Sequence, residues 1–436
     1  MTLGLIAMSG VRAENKEITQ LGLTLPGFVE RGKVIASLPS LGLLTLASLT
    51  PLELDIDYIE IIDIQEEKIL KAYDIVAISS FTAQIKQAYI LADKYRAMGT
   101  KVIMGGLHVS AMPEEALLHA DAILLGEGEL IWESLMQDFL VGKLKNIYDM
   151  RGKSFDLAHA PMPRFDLLDI QKYNRLTVQT QRGCPFSCDF CASSIRISPK
   201  FKVKPIEKVI AEIRMIKSLW KKPFIEFADD NTFADKRHGK LLLKALIKEK
   251  IKWFTETDIS IAYDDELLGL LKESGCVQVL IGFESISQNA LNGIETHSNW
   301  KAKQVDKYLE AIDKIQSYGI TVNGCFVLGL DGTGEESFQD IFEFVEKSNL
   351  YEVQVTLLTP FPNTPLYERF KSEKRLIDEE AWEKCTLFDV NFYPDKISVE
   401  SLEQNFKKLI EKLYSKEATS SRQGKYRRML KEKIQK

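Results

Sequence analysis

The feature that most constrains this chain is a sixfold alternation between residues 175 and 359. Short β-rich runs stand at RLTVQTQ (175–181), FIEFAD (224–229), KWFTETD (252–258), VQVLIGFES (277–285), TVNGCFVLGL (321–330) and VQVTLLT (353–359). Helical patterns over 205–219, 238–250, 264–274, 301–318 and 335–347 separate them. Strands that alternate with helices form parallel sheets, because the return between parallel strands needs a helix-length crossover. Six such units predict a partial (β/α)6 barrel of the TIM type, with its chemistry at the C-terminal ends of the strands.

The N-terminal third repeats the alternation. Strand candidates are LGLIAMSG (3–10), IDYIEI (56–61), DIVAIS (74–79), KVIMGG (101–106) and AILLGEG (122–128), with helical patterns at 41–49, 84–99, 113–119 and 129–140. This predicts an α/β domain over 1–141, a doubly wound Rossmann-like parallel sheet whose ligand lies at the carboxyl ends of the strands. Residues 142–174 hold Gly152, Pro161 and Pro163 and few apolar runs, and read as a linker. The barrel then occupies 175–370, and 371–436 forms a helical C-terminal extension. Its basic end, SSRQGKYRRMLKEKIQK, carries seven Lys/Arg against one Glu and reads as a solvated helix, with a docking surface for an acidic partner as the lesser alternative.

A net charge of −5 leaves no electrostatic footprint for nucleic acid. No apolar run reaches the ~20 residues of a membrane span, and the start, without a basic flank, reads as a strand rather than a signal peptide. Six cysteines in 436 residues are too few for a disulfide scaffold, which points to a reducing cytoplasm. Half of them fall in RGCPFSCDFC (182–191), directly after the first barrel strand. Cys184, Cys188 and Cys191, spaced C-x3-C-x2-C, are one thiolate short of a structural zinc site, and no His or second Cys pair lies nearby in sequence. An iron–sulfur cluster with three thiolates and one open iron fits better, since such an iron can take a small chelating molecule. Gly183 and Pro185 are placed to shape the turn that lets the sulfurs converge.

This loop, with Phe190 before the third cysteine and βα units following, resembles the radical S-adenosylmethionine (SAM) superfamily. The resemblance implies that the three cysteines hold a 4Fe-4S cluster and that SAM chelates the fourth iron. It further implies reductive cleavage to a 5′-deoxyadenosyl radical, with an electron donor such as flavodoxin or ferredoxin. FADDNTF (227–233) places Asp229 and Asp230 where the family accepts hydrogen bonds from the cofactor ammonium, although two acids there also suit a simple cap. GFES (282–285) places Glu284 at the ribose acceptor, and Phe190 becomes a neighbour of the adenosyl group. The segment GCFVLGLDGTGEES, with Gly329, Gly332 and Gly334, matches one that borders the adenine. TPFPNTPLY (359–367) resembles a TPFPGTPLY signature, with Asn363 where Gly is usual; Asn also tolerates left-handed backbone. Cys276, Cys325 and Cys385 are scattered and read as buried inert thiols, so a single cluster is expected.

The N-terminal sheet is similar to the cobalamin-binding domain that precedes many radical SAM enzymes. The matching pieces are SLGLLTLAS (40–48), DIVAISS (74–80), GGLHVSAMPEEAL (105–117) and LLGEGE (124–129). The resemblance implies that Gly105, Gly106, Gly126 and Gly128 let backbone approach the corrin closely. The histidine pattern D-x-H-x-x-G is absent, and His108 is not at the usual position of a lower cobalt ligand. A corrin held without a protein histidine and a fold that has lost its corrin both remain open; the resemblance favours the first. It then implies cobalamin-dependent methylation of an unactivated centre in a small-molecule substrate. Ring formation, oxidation or group transfer without methylcobalamin is the alternative, and a non-catalytic iron–sulfur or corrinoid protein is the rival from another class.

Overall fold

A computed structural model describes residues 1–21, 38–67, 69–193, 197–198, 200–295 and 298–434. They divide into two compact units. The first holds Met1–Arg12 and the described parts of 34–184 and 192–224; the second holds the described part of 13–33, Pro185–Cys191 and that of 225–436.

In the first unit six strands form one sheet: β1 (Thr2–Met8), β2 (Asp55–Ile61), β3 (Ile75–Ser79), β4 (Lys101–Gly105), β5 (Ala122–Leu125) and β6 (Ile147–Asp149). Their order is β2-β1-β3-β4-β5-β6, and every pairing is parallel. The order reverses between β1 and β3, which is where open α/β sheets place ligands, beyond the strand C-termini. Leu3, Leu5, Ile75, Ile103 and Leu124 on one face and Ile6, Val76, Val102 and Ile123 on the other are all buried, as expected of strands covered on both faces. The sequence reading has five strands here. β6 falls in the segment read as a linker, because a three-residue edge strand, with only Tyr148 buried, carries too little apolar signal.

Gly126 explains how β6 can lie so close. It sits at φ 84, and a Cβ there would stand 2.9 Å from the Met150 carbonyl carbon and 3.0 Å from Arg151 N. Gly126→Ala is therefore expected to cost about 1–3 kcal/mol, readable as a lower denaturation midpoint. An unchanged midpoint would show that the β6 connection gives way freely.

The first unit also contains β7 (Leu176–Val178) and a two-stranded antiparallel ribbon, β8 (Gln181–Arg182) with β9 (Lys202–Val203). The ribbon leads directly into Cys184 and has no counterpart in the sequence reading, because strands of two residues show no period.

The second unit carries β10 (Phe224–Phe227) from Ile225 on, β11 (Lys252–Thr257), β12 (Cys276–Glu284), β13 (Thr321–Leu328) and β14 (Glu352–Leu357), in the order β14-β13-β12-β11-β10. β11 to β14 pair in parallel. Helices Asp265–Glu273 and Glu336–Lys347 lie within one residue of the expected bounds, whereas Tyr308–Ser317 begins seven residues later than expected, after a 3-10 segment at Ala302–Lys307. The outward face of the sheet is apolar: Phe283 meets Tyr308 at 4.6 Å and Phe326 at 5.6 Å between ring centroids. The inner face carries the alternate residues, among them Glu256, Gln278, Glu284, Asn323 and Gln354.

Helices Val399–Tyr414 and Lys416–Ile434 close the described chain; residues 435–436 of the basic tail lie outside the described residues. The last helix is not simply solvated. Arg422 is fully buried, donates to Leu413 O at 2.7 Å and stands 3.5 Å from Glu352 of β14, while Tyr426 is 7% exposed. One paired arginine anchors a helix whose composition suggests only solvent.

Candidate active site

The cysteine loop is shaped by its backbone. Gly183 adopts φ 84, and a Cβ there would press on Lys200 O and Phe201 Cα at 3.3 Å, so glycine is required as expected. Further on, Cys188 bridges to Glu295, Asp189 N donates to Ile294 O at 2.9 Å, and Asp189 O accepts from Leu366 N at 3.1 Å. Asn363, just before that contact, stands at φ 60, the left-handed conformation inferred from its replacement of glycine. Phe190 is half-buried in this loop, and Phe186 stacks on Trp300 at 5.6 Å.

All three cysteines are free thiols with partial solvent access, which suits thiolate ligation. Lys301 sits within electrostatic reach of Cys188 and is ion-paired to Glu284. No group of three His, Cys, Asp or Glu among the described residues stands at the spacing of a single metal ion.

Asp229 is buried at the end of β10 and accepts from Thr232 Oγ1 at 2.9 Å, with Asp230 half-buried beside it. Glu284, 7% exposed, lies at φ 61 where β12 bulges against β13. Left-handed backbone on a non-glycine residue is strained and marks a position held for a purpose. Gly329 is also tightly packed. It sits at φ 85, and a Cβ there would stand 2.9 Å from Phe392 and 3.2 Å from Leu402.

In the first unit, Gly106 sits at φ 112 after β4, where only glycine is comfortable. A Cβ on Gly105 or on Gly106 would meet only ordinary contacts, and one on Gly128 would meet the flexible end of Leu46. Phe81 and Leu107, just beyond β3 and β4, are 53% and 38% exposed. Open glycine backbone and exposed apolar side chains at adjacent strand ends fit a broad, flat, largely apolar group such as a corrin. His108 is buried, with Nε2 3.9 Å from Glu115.

Two clusters escaped the sequence reading. In the first unit, Glu127 is fully buried between Arg182 (2.6 Å) and Lys202 (2.6 Å), and Arg182 also pairs with Glu129 at 2.7 Å. These partners lie 53 to 75 residues apart and share no period; the only hint was two acids in the apolar LLGEGE run. In the second unit, burial pushes the Glu256 carboxyl up to about 8, aided by the charges of Glu226, Asp230, Glu284 and Asp229. Glu256 keeps solvent access, so it is walled by protein around an open inner face. A native state that holds a proton the unfolded chain has released loses stability as pH rises from the ordinary 4.5 through about 8. Glu256→Gln is thus expected to match the parent in acid and to melt higher at pH 9. Equal melting differences at pH 5 and pH 9 would count against this.

The thiol reading needs one change. Cys276 and Cys385 are buried, with burial pushing Cys385 up to about 12. Cys325 instead lies on the inner face, partly exposed, its thiol held protonated by its surroundings and by nearby Glu284 and Glu256.

Comparison with known proteins defines the class first. Residues 178–345 match the radical SAM superfamily, 33–136 the B12 binding domain and 364–436 a domain of unknown function (DUF4070). The bacteriochlorophyllide d C-12(1)-methyltransferase of Chlorobaculum tepidum is 31% identical over 360 residues, covering 81% of this chain and 77% of that one. The cobalamin-dependent SAM radical enzyme OxsB has TM-score 0.69 at 17% identity over 95% of this chain and 67% of that one. The radical SAM methyltransferase TsrM of Kitasatospora setae, solved with cobalamin and a [4Fe-4S] cluster, has TM-score 0.63 at 14% identity over 85% and 78%. These two likenesses establish the fold. The chain belongs to the cobalamin-dependent radical SAM methyltransferases, a family whose cofactors are a 4Fe-4S cluster, SAM and cobalamin. No helix among the described residues is long and apolar enough to cross a membrane.

Proposed function

We propose that this chain methylates an unactivated centre of a small molecule. The observation that carries the reading is the presence of both a radical SAM and a B12 binding match in one chain that aligns along most of its length with a methyltransferase. Cys184, Cys188 and Cys191 would hold the cluster. Phe190, Asp229, Asp230 and Glu284 would hold SAM, with Gly329 shaping the adjoining turn, and Gly105, Gly106, Gly126 and Gly128 would border the corrin. When bound, these groups supply one-electron cleavage of SAM and a transferable methyl group. The chain's own residues bind and orient: Thr232 fixes the Asp229 carboxylate, Lys301 fixes Glu284, and the Arg182–Glu127–Lys202 network pins the ribbon before Cys184. A protein electron donor of the flavodoxin or ferredoxin kind completes the system.

The test is anaerobic reconstitution with iron and sulfide, with and without hydroxocobalamin. We expect about one corrin retained per chain and 5′-deoxyadenosine formed from SAM under reduction. Cluster and 5′-deoxyadenosine without corrin retention would replace methylation by a corrin-free radical reaction. A full cluster that yields no 5′-deoxyadenosine would remove the enzyme reading altogether.

A further inference from the structure

A barrel whose interior only packs is filled by branched apolar side chains. The inner face of this one is not. Gln278 on β12 is 1% exposed and Asn323 on β13 is 0% exposed, and neither amide has a hydrogen-bond partner on its oxygen or its nitrogen. On β14, Gln354 is 7% exposed and its Oε1 also lacks a partner. Leaving such groups unmade is costly, and a fold with no use for them could carry leucine or methionine instead.

The register gathers them. Glu256 and Asn323 both stand opposite Leu280, one on each side, so they share a row across three strands. Gln278 lies two residues from Leu280 on the same strand, and Gln354 stands opposite Cys325, two residues beyond Asn323. At about 4.8 Å between strands, the patch is about 10–15 Å across, the size of a small molecule. Its nearest row, Gly282–Cys325–Gln354, lies about 7 Å along β12 from Glu284, where SAM is proposed to bind. The charge is mostly acidic as well, with Lys301, paired to Glu284, as the cation in reach. The carboxylates of Glu226, Asp229, Asp230 and Glu284 all act on Glu256 in the direction that opposes its ionisation. The potential at this face is therefore negative, and it favours a cation.

We infer that the inner face, at Glu256, Gln278, Asn323 and Gln354, receives a small, hydrogen-bonding substrate that carries a protonated amine. Three amides supply donors and acceptors to its polar groups, and Glu256 faces its cationic end. A hydrocarbon would leave the amides unmade, and a carboxylate would meet like charge. A tetrapyrrole of the kind named for the Chlorobaculum relative does not suit this patch. The inference rests on the reading of the barrel as the site of methylation and specifies what that site accepts.

The test uses the reconstituted protein and two matched probes, 4-aminobutanamide and pentanoate, at millimolar concentration by saturation-transfer NMR. We expect 4-aminobutanamide to bind and pentanoate not to. Glu256→Gln and Asn323→Leu are each expected to weaken binding about tenfold or more. Asn323→Leu removes an unpartnered amide, so its melting temperature is expected to rise by about 2–4 °C. Binding of pentanoate as strong as that of 4-aminobutanamide, binding unchanged in both variants, or no binding of 4-aminobutanamide overturns the inference. A fall in the melting temperature of Asn323→Leu does so too, because it would give the amide a structural role. Should Asn323→Leu not fold, Glu256→Gln alone decides, since it keeps the shape of the side chain. Probe binding needs no SAM cleavage, so the two readings fail separately. A parent that binds the probe without forming 5′-deoxyadenosine loses the radical reading, and one that forms it while ignoring the probe loses this one.

Discussion

Cys188→Ala is expected to purify as a folded protein that reconstitutes no stable cluster and forms no detectable 5′-deoxyadenosine. The loss is chemical rather than structural. The backbone around Cys188 is held by Asp189 N on Ile294 O and by Asp189 O on Leu366 N, and alanine leaves both in place. The thiol itself is half-exposed, so its removal opens little cavity, and apoprotein stability is expected to change by less than about 1 kcal/mol. On the proposed ligation the chain has no spare sulfur: Cys276 and Cys385 are buried, and Cys325 belongs to β13. Iron and sulfide analysis with anaerobic absorbance checks the result. A variant that retains four irons and its absorbance would show that Cys188 is not a ligand.

The second large effect concerns Glu127. Its carboxylate has no solvent exposure and accepts from Arg182, Lys202 and Phe155 N, so Glu127→Ala leaves Lys202 without its carboxylate and Arg182 with Glu129 alone, beside a cavity. Breaking a buried pair from one side costs about 3–5 kcal/mol, because the remaining charge keeps its desolvation penalty without its partner. We expect that loss in denaturant unfolding of the first unit's transition, together with weaker cluster retention, since Arg182 lies two residues before Cys184. A loss below about 1 kcal/mol would mean that water reaches the network. The acid side follows from Glu129. Burial opposes its ionisation, but the Arg182 guanidinium outweighs burial and holds the carboxyl below its usual range. Its contribution is fully present above the ordinary carboxylate pKa and is lost as pH falls through the lowered folded value.

Much of this was legible from sequence because strands and helices announce themselves by period. All six strands of the barrel region overlap their expected runs, and five of the six in the first sheet do. The C-x3-C-x2-C spacing and the acids of FADDNTF and GFES named a chemistry because they fall at strand ends, where the fold makes side chains converge. What escaped was short or long-range. β6, β8 and β9 are too brief to show alternation. Lys301, which pairs with Glu284 across 17 residues, sits in a segment with no motif. Arg422 looked like one more charge in a basic tail, and only its pairing with Glu352 marks it as an anchor.

The order of elements, the parallel sheets and the spacing of the candidate thiolate ligands were determined by the sequence alone, since each depends on local period or on neighbours within ten residues. The tertiary structure decided which polar residues are buried together. It set Glu127 between two cations, placed Gly329 against Phe392, and turned Glu256, Gln278, Asn323 and Gln354 toward one face. The physical reason is that desolvation and pairing energies depend on distance in space, and strand register brings together residues that lie up to about a hundred positions apart in the chain.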